Sequence, residues 1–471
     1  MSNSTSKLIH RLTLSRNKNG VLYKNLAVCI NEAIKEGMLN AGDKLPTQRH
    51  IAQELGINLS TVTQAFRLLR DQGAIITRIG SGCIVATPWN DIEGDYPTAP
   101  IGGGSLDMTV NRPATEQYLK EINPILKTLN SDQRYNNLQD YQQPMGPIWV
   151  REAIAKWLIK RGVFNSVDEN NLIVTQGAQH ALSCILRATT KPGDVVLADE
   201  ITYQGVMALC HTLGLSLIGV GMDSNGMRPE ALDYACGKFK PRAVILIPTL
   251  HNPTAITIPA ERRADIIEVL KRHNCNLIED DVYRELYDSN IEPLSASMPD
   301  RSYYVGGFSK SVAPGTRIGF VIAPPEFSNN IAVAQRIDLW CPSPLDALVT
   351  TRLIEQGSID RIINTNRKEL IKRQKLLINI LGSFSINTHQ TSAHAWLKLP
   401  QSWTTSRFVA SLRSQGVSVL GSDMFATDSS AAPNAVRINV AGIPDHSNLS
   451  KALNIIAKTL LSSDCNPPGS F

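Results

Sequence analysis

The chain has 471 residues, an apolar content of 42% and a formal net charge of +5, enough for a large buried core and for more than one domain of a soluble protein. No apolar run is long enough to cross a bilayer, and Met1 to Arg16, Ser/Asn-rich with scattered Lys and Arg, lacks an apolar signal core; this points to the cytoplasm and to no membrane partner. Eight cysteines (Cys29, Cys83, Cys184, Cys210, Cys236, Cys275, Cys341 and Cys465) are scattered without a Cys-x-x-Cys pair, which argues against a disulfide framework and a zinc site, so no metal is expected.

The charge is uneven. Residues 1 to 90 hold eleven Lys/Arg against five Asp/Glu, a net +6, and the remaining 381 residues sum to −1. A compact basic module ahead of a nearly neutral body suits a polyanion partner, because Lys and Arg beside phosphates release condensed counterions on binding. In that module Leu22, Leu26, Ile30, Ala33 and Ile34 fall at helical spacing, and the helix should stop near Gly37. Thr47 is placed to cap a second, short helix carrying Ile51, Ala52 and Leu55, which Gly56 ends. Asn58 is placed to cap a third, with Val62, Ala65, Phe66 and Leu69 on its inner face. Two helices joined by a tight turn make a helix-turn-helix, with Leu59, Ser60, Thr61 and Gln64 outward at the end that enters the major groove. Ala74 to Arg78, the turn Gly80-Ser81-Gly82 and Cys83 to Ala86 then read as a hairpin, the wing.

Over residues about 20 to 86 the chain resembles the winged helix-turn-helix of GntR-type regulators. The motifs are Gly42-Asp43-Lys44-Leu45-Pro46-Thr47-Gln48-Arg49, Thr61-Val62-Thr63-Gln64-Ala65-Phe66, Leu69, Gly73 and Gly80-Ser81-Gly82. The resemblance implies double-stranded DNA as a partner, with Arg49, Ser60, Thr61 and Thr63 as DNA-binding residues. Where the family often has arginine at the start of the recognition helix, this chain has Leu59: a guanine contact is missing, or is replaced by apolar contact with a thymine methyl.

Thr87 to Thr109 turns to Pro, Gly, Asp and Ser, with Pro88, Pro97, Pro100 and Gly102-Gly103-Gly104. No apolar periodicity survives there, so residues 87–109 read as a linker between a DNA-binding domain at 1–86 and a body at 110–471, with a smaller subdomain from about residue 345. In the body, helical stretches such as Trp149 to Arg161 alternate with short apolar runs: Leu172 to Val174, Val195 to Ala198, Ala243 to Ile247, Cys275 to Ile278 and Ile318 to Ala323. Such runs suit a mostly parallel sheet covered on both faces, an α/β body whose ligands sit at the carboxyl ends of strands.

The distinctive residues fall at those ends. Thr175-Gln176-Gly177-Ala178-Gln179 leads from a strand into a helix, where glycine admits a phosphate and the helix start supplies free amides. Tyr203 offers a ring for stacking, Asn252 an amide, and Glu279-Asp280-Asp281-Val282-Tyr283 a carboxylate suited to facing a ring nitrogen. Lys310, in Gly306-Gly307-Phe308-Ser309-Lys310-Ser311 and seven positions before Arg317, reads as an aldehyde-capturing amine beside a phosphate clamp. Arg437, inside the apolar strand Val436 to Val440, needs a partner, and a substrate carboxylate is a suitable one.

In this order the pieces resemble the fold-type I aminotransferases, which bind pyridoxal 5′-phosphate, over roughly residues 108 to 462. The resemblance implies Lys310 as the Schiff-base lysine and catalytic residue, Asp280 as partner of the pyridine nitrogen, Asn252 and Tyr283 at the ring hydroxyl, and Tyr203 as the stacking aromatic. It implies Gly177, Ala178, Gln179, Ser309 and Arg317 as the phosphate cup, Arg437 as the grip on an α-carboxylate, and Tyr141 as a tyrosine reaching the phosphate across a homodimer. Two positions depart from the pattern: Gly307 stands where relatives often carry serine, and Ala255 where glycine usually follows Asn-Pro-Thr.

A GntR-type module ahead of such a body is the architecture of the MocR subfamily of regulators, which the chain resembles over nearly its whole length. The function implied is a DNA-binding transcriptional regulator that senses an amino acid or amine through aldimine exchange at Lys310. Two alternatives stand beside it: a working aminotransferase with an accessory DNA-binding module, and a repressor whose body has lost its cofactor and only dimerises.

Overall fold

The computed structural model describes residues 8–9, 11–13, 21–36, 38–39, 43–71, 74–78, 82–85, 106–113, 116–288 and 291–462. The chain divides into two compact units, Met1–Thr98 and Ala99–Phe471. Among the described residues no helix is long and apolar enough to cross a membrane.

The first unit holds α1 (Leu22–Lys35), α2 (Gln48–Leu55), α3 (Leu59–Asp71), β1 (Ile75–Arg78) and β2 (Gly82–Val85). Both ends of α2 and the start of α3 have local causes. Thr47 accepts a hydrogen bond from the His50 amide at 3.2 Å and starts α2, and Gly56, at φ +59°, ends it in the left-handed conformation that glycine adopts without strain. Asn58 Oδ1 accepts the Ser60 amide at 2.9 Å and starts α3. Ile30, Ala33, Ile51, Leu55, Val62, Phe66 and Leu69 close into one core with Ile75 and Val85 of the hairpin. β1 and β2 pair antiparallel, Ile75 opposite Val85, and the Asp43–Leu45 stretch joins the wing through Leu45 N to Cys83 O at 2.8 Å and Val85 N to Asp43 O at 2.9 Å. The expected turn at Gly80-Ser81, the end of the wing at Ala86, Gly73 and the linker as far as residue 105 lie outside the described residues.

The second unit runs β3 (Leu106–Asp107), α4 (Glu116–Thr128), α5 (Ile148–Lys160), β4 (Leu172–Thr175), α6 (Ala178–Thr189), β5 (Val195–Asp199), α7 (Gln204–Thr212) and β6 (Ser216–Val220). A small hairpin, β7 (Met222–Asp223) and β8 (Gly226–Met227), precedes α8 (Pro229–Phe239), β9 (Ala243–Leu246), α9 (Ala260–Arg272), β10 (Asn276–Asp280), β11 (Ser302–Gly307) and β12 (Gly319–Ile322). Then follow α10 (Pro325–Leu339), α11 (Pro344–Glu355), α12 (Ser358–Leu381), β13 (Ile386–Asn387), β14 (His394–Lys398), α13 (Thr405–Ser414), β15 (Val417–Ser418), β16 (Leu420–Gly421), β17 (Ala435–Asn439) and α14 (His446–Leu461).

Seven strands form the main sheet in the order β4-β12-β11-β10-β9-β5-β6. Their side chains alternate between two apolar layers: Val196, Ala198, Ile245 and Ile278 meet α6 and α10, whereas Leu197, Val244, Leu246 and Leu277 meet α8 and α9. The run Ile318 to Ala323, grouped by sequence with the parallel strands, is the exception, since β12 is antiparallel to both β11 and β4. No α-helix lies between Gly307 and Gly319 to carry the chain back along the sheet, so it doubles back instead.

A second, antiparallel sheet has the order β13-β14-β17-β16 and packs on α12, α13 and α14 through Leu377, Phe408, Leu412, Leu453 and Ile456. Its first strand starts at Ile386, and Leu370, Leu377 and Leu381 of α12 already share its apolar layer, whereas Ala347, Leu348, Ile359 and Ile362 pack with Val150 and Ile154 of α5 on the main sheet. Leu106 to Thr109, read from sequence as the end of the linker, are structured parts of the second unit, with β3 paired parallel to β15 and Met108 fully buried.

Candidate functional site

The carboxyl ends of the main-sheet strands bring the expected residues together. β10 ends on Asp280 and β11 ends three residues before Lys310; Gly177 follows β4, Tyr203 follows β5, and Asn252 follows β9. Arg437 comes from β17 of the second sheet.

Gly177 stands at φ +86°, and a Cβ there would lie 3.1 Å from Arg317 Nη2, so the absence of a side chain lets the guanidinium close on the start of α6. A Cβ at Gly319 would lie 2.6 Å from the Gly177 carbonyl carbon, which makes glycine a condition of β12 approaching this turn. Arg317 itself sits at φ +46°, donates to Gln176 O at 3.1 Å, and has no carboxylate within ion-pair distance among the described residues. Gln179 donates to Gly205 O at 3.1 Å, while Ser309 is half-buried with no hydrogen bond of its own among the described residues.

Asp280 is 4% exposed and its Oδ1 has no hydrogen-bond partner; burial first, then the neighbouring Asp281, pushes its carboxyl up to about 7. Lys310 Nζ donates to Asn111 O at 3.0 Å. Burial, helped by the Arg437 cation, lowers that amine to about 8. Arg437 donates to Asn252 Oδ1 at 2.8 Å and to Thr109 O, lies 4.9 Å from the Phe425 ring centre, and keeps Nε unpaired. Tyr283 is buried edge-on to His394, with ring centres 5.5 Å apart. Ala255, flagged by sequence as standing in a glycine position, has φ +59°, a conformation that glycine takes at less cost.

Tyr141 makes none of these contacts. It is 83% exposed, its ring 4.9 Å from that of Trp340. Three residues without an assigned role from sequence are part of the arrangement: Asn111, His251 and His394. No motif marks Asn111 or His394, and His251 was visible only as the neighbour of Asn252.

In the first unit, Arg49 is exposed on α2, and Leu59, Ser60 and Thr63 are exposed at the start of α3 with Thr61 half-buried. The Thr63 hydroxyl lies 2.9 Å from both Gln48 Oε1 and Leu59 O, and the Ser60 hydroxyl 3.0 Å from Asn58 Oδ1.

One cluster outside the site resembles a metal set. His180, Cys184 and Asp338 place a ring nitrogen, a thiol and a carboxylate within 4.8 Å of one another. The Gln176 amide donates to His180 Nδ1 at 3.2 Å, which leaves the ring proton on Nε2, facing Cys184 Sγ at 3.3 Å and Asp338 at 3.7 Å. Asp338 is also paired with Arg187. A ring nitrogen that carries the proton cannot ligate, so the cluster is a hydrogen-bonded helix contact.

Residues 104–456 match the family described as aminotransferase class I and II. The chain belongs to that family. The first unit is a helix-turn-helix of the gntR family of bacterial regulatory proteins, matched over residues 22–85. Among curated proteins, the HTH-type transcriptional regulator YdeF of Bacillus subtilis is 29% identical over 93% of this chain and 94% of its own length. YdcR of Escherichia coli, also an HTH-type transcriptional regulator, is 27% identical over 86% and 92%. Aromatic-amino-acid aminotransferase 1 of Thermococcus litoralis is 25% identical over 75% and 88%. Among solved structures, the kynurenine aminotransferase of Pyrococcus horikoshii superposes with a TM-score of 0.71 at 24% identity, covering 76% of this chain and 91% of that one, a likeness of fold.

Proteins of the aminotransferase class I and II family depend on pyridoxal 5′-phosphate, and the donor set here fits that group. A buried carboxylate oxygen without a partner suits a protonated ring nitrogen. An arginine without an acid, closed over a helix start, suits a phosphate, and a neutral-leaning amine suits an aldehyde.

Proposed function

We propose that the protein is a transcriptional regulator of the MocR-like architecture: its first unit binds double-stranded DNA, and its second holds pyridoxal 5′-phosphate and responds to an amino acid or amine. The observation that carries this reading is the unmatched charge around Lys310. Asp280 lacks a donor for Oδ1, and Arg317 and Arg437 lack acids among the described residues, in a chain that also carries a helix-turn-helix. The cofactor supplies an aldehyde that condenses with amines and a ring that draws electrons from what is attached to it.

The protein's own groups divide the work. Lys310 holds an amine that burial brings down to about 8, and Asp280 places a buried carboxyl with an unpartnered oxygen at the foot of the site, where a protonated ring nitrogen would favour its charged form. Arg317 and the amides of Gly177, Ala178 and Gln179 take the phosphate, with Ser309 beside them; Tyr203 covers one ring face, and Asn252 and Tyr283 meet the ring hydroxyl. Arg437 takes the carboxylate of the effector, exchanging its bond to Asn252 for a charged partner.

The chain also supplies a route to the DNA-binding unit. Arg437 donates to Thr109 O and Lys310 to Asn111 O, and both carbonyls lie on the first described segment after the linker. When a ligand takes either donor, that segment loses a hydrogen bond, so occupancy is registered where the linker ends. Arg49, Ser60, Thr61 and Thr63 form the DNA-facing set.

A homodimer completes the reading. Val333, Ile337, Leu339, Trp340 and Leu345 expose 41–71% of their surface beside the Tyr141–Trp340 ring pair, an apolar surface suited to a second copy that would receive Tyr141. The test is DNA binding by the purified full chain with and without pyridoxal 5′-phosphate and a panel of amino acids. A ligand-dependent change in affinity is expected; a DNA affinity blind to all of them, with rapid release of keto acid, would identify a working aminotransferase instead.

A further inference from the structure

Asn111 lies at the centre of the buried polar groups around Lys310, and the direction of every bond it makes can be derived. The Ala441 and Gly442 amides donate to Asn439 Oδ1 at 2.6 and 2.8 Å, and a backbone N–H can only donate. Asn439 therefore presents its Nδ2 to Asn111, whose Oδ1 accepts at 2.5 Å. That fixes the Asn111 amide in turn, with Nδ2 donating to Tyr283 Oη at 2.8 Å and to His394 Nδ1 at 3.0 Å. His394 must then carry its proton on Nε2, which faces His251 O at 3.0 Å. Tyr283 Oη is an acceptor toward Asn111, so its own proton has to point elsewhere. The backbone carbonyl of the same residue holds the Lys310 amine at 3.0 Å.

We infer that Asn111 is a positioning residue of this site: it turns the Tyr283 O–H outward as a donor, fixes the neutral tautomer of His394, and holds the free Lys310 amine on its carbonyl. The inference rests on the site proposed above and adds to it a residue that no motif supplied. It touches two assigned groups at once, through its amide and through its backbone. The residue is 6% exposed, as a group with a purely internal role should be.

The substitution that separates this role from packing is Asn111→Asp, which keeps the shape and the bond from Asn439 but puts an acceptor where Nδ2 donates to Tyr283 and His394. A carboxylate only accepts, so it would draw the Tyr283 proton inward and place a negative charge near the amine. Full-length protein is compared with Asn111→Asp and Asn111→Ala in two measurements. In the cofactor-free protein, the pH dependence of Lys310 acetylation by acetic anhydride is read by mass spectrometry. The midpoint should rise by about one pH unit in Asn111→Asp, because a nearby carboxylate favours the ammonium form. Titration with pyridoxal 5′-phosphate, followed by absorbance, should show affinity weakened about tenfold in both variants, about one hydrogen bond's worth at a buried site. A Lys310 midpoint unmoved in Asn111→Asp, together with affinities within about twofold of the parent, would overturn the inference. If Asn111→Asp does not fold, as judged by circular dichroism, the affinity of Asn111→Ala decides, since that change buries no charge. If the parent binds no pyridoxal 5′-phosphate, the proposed function fails, and the acetylation profile still decides the role of Asn111.

Discussion

Arg437 is bound to Asn252, an amide, at 2.8 Å, where a buried guanidinium ordinarily meets an acid. Its remaining contacts are a carbonyl and the face of Phe425, and burial lowers it to about 10. A cation kept in this condition is less stable than a paired one, and its surroundings favour the arrival of a carboxylate.

Arg437→Gln should therefore separate cofactor from effector. Affinity for pyridoxal 5′-phosphate is expected to stay within about threefold, while amino acids perturb the visible band at least about tenfold more weakly, the loss of one charge-assisted pair. Absorbance titrations of the two proteins check this, and an unchanged amino-acid response would remove Arg437 from the effector site.

Asp280→Asn should show a trade between stability and binding. The folded carboxyl titrates near 7 against an ordinary 3.8, so the folded chain binds that proton more tightly than the unfolded one. Its contribution to stability is then fully present below about pH 4, is lost as pH rises toward 7, and is absent above it. Urea unfolding of the cofactor-free proteins should find Asp280→Asn more stable at pH 8 by on the order of 4 kcal/mol, with little difference at pH 4. Its affinity for pyridoxal 5′-phosphate should fall by at least about tenfold, because the ring nitrogen loses its anionic partner.

The first unit shows how closely sequence tracks structure where signals are local. Thr47, Gly56 and Asn58 mark boundaries by residue type alone, and each stands at one. The strands ending at Asp280 and Thr175 were legible for a similar reason, as short apolar runs followed by polar residues. β11 was not, because its closing Gly306-Gly307 looks like a turn; Gly306 is needed there instead by the Phe320 ring, 2.2 Å from a Cβ at that position. Asn111 and His394 are 283 residues apart and meet only through the fold, so no spacing could announce them. The antiparallel course of β12 was hidden too, since a buried strand reads alike in both directions.

Arg49→Ala should weaken DNA binding about tenfold at moderate salt and reduce the slope of log affinity against log salt by about one, the signature of one lost phosphate contact. Binding isotherms at several salt concentrations test this, with the cofactor spectrum expected to be unchanged.

Ile337, 71% exposed among other apolar side chains on α10, is the position from which to test assembly. Ile337→Glu places a charge on that surface and, if the proposed dimer forms through it, should shift sedimentation toward monomer; cofactor affinity should fall with it, because the proposed reach of Tyr141 into a partner's site would be lost. An unaltered sedimentation profile would count against the proposed dimer through this surface.

The central claim concerns the side chain of Lys310 and is tested most directly by trapping it. Full-length protein incubated with pyridoxal 5′-phosphate is reduced with borohydride, digested and mapped by mass spectrometry, with Lys310→Ala treated in parallel. A phosphopyridoxyl group on Lys310, absent from the variant, is the predicted result. An unmodified Lys310, or labelling spread over surface lysines to the same extent in both proteins, would contradict it.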